Sequence, residues 1–188
     1  SLMFFRRAAR LVRPLAAAAP LVAATGGLAA CLRIEEDVKL DYKDVLLRPK
    51  RSTLRSRSEV NLDRPFRFRH SGQEWTGMPM IIANMDTVGT FSMAIEMAKH
   101  HCMVAIHKHY TVAEWKAFAA ESPQALPYVC ASAGTSTKDL AMLDDILAAC
   151  PGVSFICLDV ANGYSEFFVG AVKAVRQKYP KHTILAGA

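Results

Sequence analysis

Ile156-Cys157-Leu158-Asp159-Val160-Ala161-Asn162-Gly163-Tyr164-Ser165 is the stretch on which the fold turns. It closes an apolar run, residues 153–158, of the length expected for a buried strand, and follows it with a carboxylate, an amide and a glycine. From Ser165 a helical pattern begins, with Phe168, Val172, Val175 and Tyr179 on one face. Polar groups at the point where a parallel strand hands over to a helix are where α/β barrels carry their chemistry. The plainer alternative is an ordinary turn in which Asp159 serves only nearby backbone, and this segment alone leaves both open.

Outward from that stretch the same alternation repeats. Strands are predicted at residues 80–83, 103–106, 128–131, 153–158 and 183–186. Helices are predicted between them. The first covers 91–99, with Ile95 and Ala98 turned inward. The second opens on the capping box Thr111-x-x-Glu114 and carries Trp115, Phe118 and Ala119. The third follows Ser136 and Thr137 and aligns Leu140, Leu143 and Leu147. Alternating strands and helices imply a parallel sheet. No G-x-G-x-x-G follows the first strand, which argues against a doubly wound nucleotide fold. The expected fold class is therefore α/β, a partial (β/α)8 TIM barrel of about four and a half βα units. A whole barrel needs roughly 250 residues. Stopping at the fifth strand is expected to leave two open sheet edges, so the chain reads as truncated.

Charge is unevenly distributed. Residues 1–33 hold five arginines and no acid, broken by Pro14, Pro20 and Gly26-Gly27. They read as a disordered leader, with 34–188 as the folded part. An Arg-rich, acid-free leader also matches a mitochondrial presequence and, more loosely, a secretory signal. The rest of the chain has 18 basic and 17 acidic residues, so the net charge of +6 does not point to nucleic acid. The five cysteines form no C-x-x-C pair or zinc-type spacing, and two of them (Cys130, Cys157) fall in predicted strands. Free buried thiols fit a reducing compartment and argue against secretion, making the cytoplasm the expected location. No unbroken apolar run reaches about 18 residues, so no membrane span is expected. The spacing of His100, His101 and His109 matches no metal site.

Ahead of the first strand, Arg48, Lys50, Arg51, Arg55 and Arg57 stand among Ser52, Ser56 and Ser58. A solvated basic loop is the bland reading. Guanidinium groups beside hydroxyls also suit a phosphate ester, since arginine pairs bidentately and a hydroxyl adds a donor. Lys108, between His107 and His109 after the second strand, adds a cation on the face where barrel chemistry sits.

Four motifs in order carry a family resemblance: residues 39–49 (Lys-Leu-Asp-Tyr-Lys-Asp-Val-Leu-Leu-Arg-Pro), Ala83-Asn84-Met85-Asp86-Thr87-Val88-Gly89, Ala105-Ile106-His107-Lys108-His109-Tyr110, and residues 157–165. The chain resembles the reductase branch of the IMP dehydrogenase/GMP reductase family of (β/α)8 barrels from residue 36 to about 187. The resemblance implies the reaction GMP + NADPH + 2H⁺ → IMP + NADP⁺ + NH₄⁺, in which a cysteine nucleophile attacks the purine and hydride follows from NADPH. It also implies a homotetramer and K⁺ in the complete family enzyme, with GMP and IMP as ligands and neither nucleic acid nor membrane as partner.

By that resemblance Ser56 and Arg57 match the pair at the phosphate-bearing adenosine end of NADPH. Lys108 matches a cofactor-binding lysine, and Asp159, Val160 and Ala161 match the cofactor-contacting strand end. Met85 matches a residue near the purine, against the alternative of a core methionine. No catalytic residue is assigned, because the family's nucleophile, partner threonine and K⁺ loop follow the fifth strand. Ala188 also stands where the family pattern has Asn. The chain alone is expected to be inactive. An IMP dehydrogenase-type enzyme, working with NAD in the opposite direction, is the nearest alternative; its usual insert after the second helix has no room in residues 121–126. A non-catalytic fragment that binds full-length subunits is the other.

Overall fold

The computed structural model describes residues 37–187, and the chain divides into one unit ending at Ser52 and another running from Thr53. The leader and its targeting readings (residues 1–33) lie outside the described residues, as does Ala188. In the first unit the described segment holds one 3-10 turn, Tyr42–Asp44. Asp41 caps it by accepting from the Tyr42 N–H, while the Asp44 carboxylate accepts from the Asp41 N–H.

The second unit is built on a six-stranded sheet in sequential order. Its strands are β1 (Arg64–Arg67), β2 (Glu74–Ile82), β3 (Cys102–Ile106), β4 (Val129–Ala133), β5 (Phe155–Asp159) and β6 (Thr183–Gly187). The helices α1 (Phe91–Ala98), α2 (Val112–Glu121), α3 (Thr137–Ala149) and α4 (Glu166–Lys178) alternate with β2 to β6. The strands from β2 to β6 are parallel, as their helical crossovers require. Each helix starts on a side-chain cap the sequence supplies: Thr90, Thr111, Ser136 and Ser165 each accept from a backbone N–H in the first turn. This partial α/β barrel matches the fold class expected from the sequence.

Two differences from the sequence reading matter. The sequence predicts no strand before residue 80, whereas residues 64–82 are built into the sheet. They form a β-hairpin in which β1 runs antiparallel to β2, so the first parallel strand starts at Glu74 rather than Met80. Gly72, at φ +70°, makes the turn. One of the two expected open edges is thus paired along part of its length. The second difference is at β5. Val153 is buried but its N–H bonds to Cys150 O in a turn, and the strand extends to include Asp159.

All four helices pack on one face of the sheet. Val104, Ile106, Val129, Ala131, Ile156 and Leu158 meet Ala94, Ala98, Trp115, Phe118, Leu143, Ile146, Leu147, Phe168 and Val175 there. The helix faces read from the sequence are the ones used, with Ile95, Ala119, Leu140, Val172 and Tyr179 packed at their margins. The other face carries a smaller cluster of Met103, Ala105, Cys130 and Phe155, bordered by Phe68, Trp75, Cys157 and Leu185. β3 and β4 are buried on both sides, which is why they read as unbroken apolar runs.

The hairpin lies across the N-terminal end of this inner face. Phe68 and Trp75 set their rings edge-on to Phe155 at 5.6 and 6.4 Å. Its turn is tied to β5 and β6 by hydroxyls and an amide. Thr183 Oγ1 donates to Gln73 Oε1 (2.7 Å) and stands 2.8 Å from Ser71 Oγ, while Gln73 Nε2 donates to Ser154 Oγ (2.7 Å). Thr183 is buried, so these bonds satisfy a polar group with no access to water. Replacing Thr183 by the near-isosteric valine leaves Gln73 without its donor; the expected cost is about 1–3 kcal/mol by denaturant titration, and no measurable change would contradict the role given to this network.

On the helix side, Asp144 of α3 accepts from Lys178 Nζ and Tyr179 OH at the end of α4. Partial burial works against its charge, but these hydrogen bonds and the Lys178 charge more than offset it and hold the carboxyl below its ordinary value. A carboxyl depressed in the folded state contributes stability above the unfolded value near pH 3.9, and loses it as pH falls through the folded value. Asp144→Asn is therefore expected to lower stability at neutral pH and to flatten the acid limb of the stability profile. An unchanged acid limb would contradict this.

Candidate functional site

The C-terminal ends of the parallel strands form the candidate site. Asp159 is the last residue of β5, backbone-paired with Gly187 of β6. Its Oδ2 accepts from Asn84 Nδ2 at 3.0 Å, and Asn84 lies two residues beyond the end of β2. The two residues border a cavity of about 370 Å³ with Ala105, Cys157, Leu185 and Gly187. Asp159 is thus held by a side chain from across the sheet and faces an open cavity. The alternative in which it serves only its own turn does not hold; Asn162 takes that part, its Oδ1 accepting from the Tyr164 N–H, while Ser165 caps α4.

Val160 is half-buried against the helix-side core, and its N–H donates to Gly187 O at 3.2 Å. Ala161 is exposed beyond it. Met85 is exposed at 61%, so it is not a core methionine in this chain. Its carbonyl accepts from the N–H groups of both Val88 and Gly89, closing the loop after β2.

Lys108 follows β3 and pairs with Asp139 in the first turn of α3, Nζ to Oδ2 3.5 Å, with nearly half the lysine side chain exposed. Both border a second cavity, about 360 Å³, with His109, Tyr110, Thr111 and Lys138. Beside it His109 Nε2 meets Asp86 Oδ1 at 3.2 Å, and His107 stacks on Tyr110. Among the described residues no group of three His, Cys, Asp or Glu side chains is placed to hold a metal ion.

Ser56 and Arg57 stand apart from these groups in hydrogen bonding. Ser56 caps a 3-10 turn, Arg57–Glu59, accepting from the Ser58 N–H, and both residues are exposed. Among the described residues their hydrogen bonds are local, and none reaches Lys108 or Asp159.

Among the described residues, the thiols of Cys130, Cys150 and Cys157 are not poised for nucleophilic attack. Cys130 is buried, which pushes its thiol well up. Burial also raises Cys157, and the Asp159 carboxylate adds to it. The Ser132 hydroxyl, paired with Cys157 in register, opposes this by more than Asp159 adds, though its Oγ makes no hydrogen bond of good geometry, and burial outweighs both. Cys150 is raised by burial as well. A nucleophilic cysteine needs the opposite environment.

Residues 39–188 match the family described as IMP dehydrogenase / GMP reductase domain. The chain belongs to the IMP dehydrogenase/GMP reductase family. It is 59% identical over 155 residues to GMP reductase 1 of Mus musculus, covering 82% of this chain and 45% of that protein. To the GMP reductase of Enterobacter sp. (strain 638) it is 57% identical over 157 residues, covering 83% and 45%. Among solved structures, an inosine 5′-monophosphate dehydrogenase from Legionella pneumophila superposes with a TM-score of 0.61 at 28% identity, covering 78% of this chain and 43% of that one. The chain spans less than half the length of the relatives it matches.

The loop carrying Asn84 is seated tightly on the family's barrel. A Cβ on Gly89 would fall 2.2 Å from Ala105 O and 3.0 Å from Asn84 Cα. Gly89→Ala must therefore displace the loop from β3, at an expected cost of about 1–3 kcal/mol by chemical denaturation. Full wild-type stability would contradict this seating.

Proposed function

We propose that this sequence is the cofactor-binding portion of an NADPH-dependent GMP reductase, an enzyme of purine salvage that takes GMP to IMP and ammonia. The observation that carries the reading is identity of 57–59% to proteins named GMP reductase over more than four-fifths of the chain. The donor set fits the cofactor. Asp159, at a strand end and open to a cavity, accepts hydrogen bonds from ribose hydroxyls. Lys108 offers an ammonium to phosphate, and Arg57 with Ser56 supplies a guanidinium and a hydroxyl to the adenosine-side phosphate. Val160 and Ala161 form the backbone wall beside Asp159, and exposed Met85 packs against the purine. Bound NADPH supplies the hydride; these residues bind and orient it.

Burial raises the Cys130, Cys150 and Cys157 thiols. Cys102 is buried too, and on these four described cysteines we propose that the chain binds nucleotide without turning GMP over. K⁺, a homotetrameric assembly and a cytoplasmic location belong to the complete protein in this proposal.

Fluorescence titration of the purified chain is expected to show tighter binding of NADPH than of NADH. Arg57→Ala is expected to weaken NADPH by about tenfold, roughly 1.4 kcal/mol, and to leave NADH nearly unchanged. Equal or tighter NADH binding would favour the dehydrogenase alternative, and GMP-dependent NADPH oxidation by this chain would overturn the proposed inactivity.

A further inference from the structure

β2 and β5 are separated in the sheet by β3 and β4. At about 4.8 Å per strand spacing, their ends would stand some 14 Å apart in a flat sheet. Asn84 Nδ2 nevertheless meets Asp159 Oδ2 at 3.0 Å. The bond exists because the sheet curls toward its inner face, and it joins residues 75 positions apart across the mouth.

Both ends of this bond are held by backbone. On the Asn84 side, the loop is closed by the Met85 carbonyl, abuts β3 through Gly89, and is tied to it by the His107 N–H donating to Gly89 O at 2.9 Å. On the Asp159 side, the residue is fixed by its register with Gly187. Asn84 is the one hydrogen-bonding partner of the Asp159 side chain among the described residues, so Oδ1 has no partner there, and Asp159 borders the cavity.

We propose that Asn84 is a positioning residue for the cofactor site: its amide orients the Asp159 carboxylate toward a ribose diol without cancelling its charge. This rests on the reading of Asp159 as a cofactor ligand. A neutral amide suits the task. A lysine or arginine in its place would neutralise the carboxylate and compete with the ribose hydroxyls, whereas an amide donor takes one lone pair and leaves the rest to accept. An aliphatic residue would leave the carboxylate free to rotate, and the ordering would then have to occur on binding.

A double-mutant cycle on the 188-residue chain, read by NADPH fluorescence titration, tests this with thermal denaturation as the folding control. Asp159→Ala is expected to weaken NADPH by about tenfold or more. Asn84→Ala is expected to weaken it several-fold in the wild-type background and not at all in the Asp159→Ala background. Equal losses in both backgrounds, or none in either, overturn the positioning role. An Asp159→Ala variant, or a wild-type chain, that shows no effect of or no binding to NADPH overturns the cofactor reading itself.

Asn84→Asp supplies a second readout that a purely structural role would not produce. It sets two carboxyl groups against each other, and they are expected to share a proton at lower pH. The protonated partner then donates as the amide did. The NADPH affinity of Asn84→Asp relative to wild type, compared at each pH so that titration of the cofactor's own 2′-phosphate cancels, should fall as pH rises from near 6 toward 8. Cys157, the other titratable group bordering this cavity, has its thiol raised by burial and keeps its proton over that range. A ratio to wild type that does not change with pH overturns the proposal.

Discussion

The structure depends on a sheet whose helices all return on one side. Burying the outward residues of β2 to β6 under α1 to α4 leaves the inner face short of apolar cover, and the sheet curls around what it has. The curl is pinned at both ends. At the N-terminal end the β1–β2 hairpin spans the gap, with Phe68 and Trp75 against Phe155 and the Gln73 amide between Ser154 and Thr183. At the C-terminal end the Asn84–Asp159 bond spans it. One end is a plug of aromatics and satisfied hydroxyls; the other is open and carries the candidate site. That division, stability at the bottom of the strands and function at the top, is the general arrangement of α/β barrels.

The same geometry explains why the strand ends hold charged and amide groups at all. Lys108 and Asp159 follow β3 and end β5, where the backbone leaves the sheet and the side chain meets solvent. Two residues earlier on β5, Cys157 is half-buried with a raised thiol. A shift of one or two residues along a strand thus changes a side chain from packed to solvent-facing. The register of β4, β5 and β6 is therefore as much a part of the site as the groups themselves.

Much of this was legible in the sequence, for identifiable reasons. β3 and β4 are buried on both faces, and the helices carry caps and single apolar faces, so period and punctuation located them closely. The strand-end positions of Asp159 and Lys108 were legible because each comes directly after an apolar run. The hairpin was not. Phe66 and Phe68 do alternate with Arg67 and Arg69, and Gly72 marks a turn, but Pro65 and the density of arginines disguised a strand whose aromatics point into the barrel. The Asn84–Asp159 bond had no local signal, since it depends on the curvature of four strands. Ser56 and Arg57 stand out by composition and motif, and among the described residues their hydrogen bonds are with near neighbours in sequence.

The claim that the sheet curls far enough to join β2 to β5 is open to direct measurement in solution. Nuclear Overhauser spectroscopy of the labelled chain, free of nucleotide, should show cross-peaks between the Asn84 side-chain amide protons and the Asp159 β-protons. Cross-peaks from Asn84 confined to its own loop and β3, with none to β5, would contradict the account.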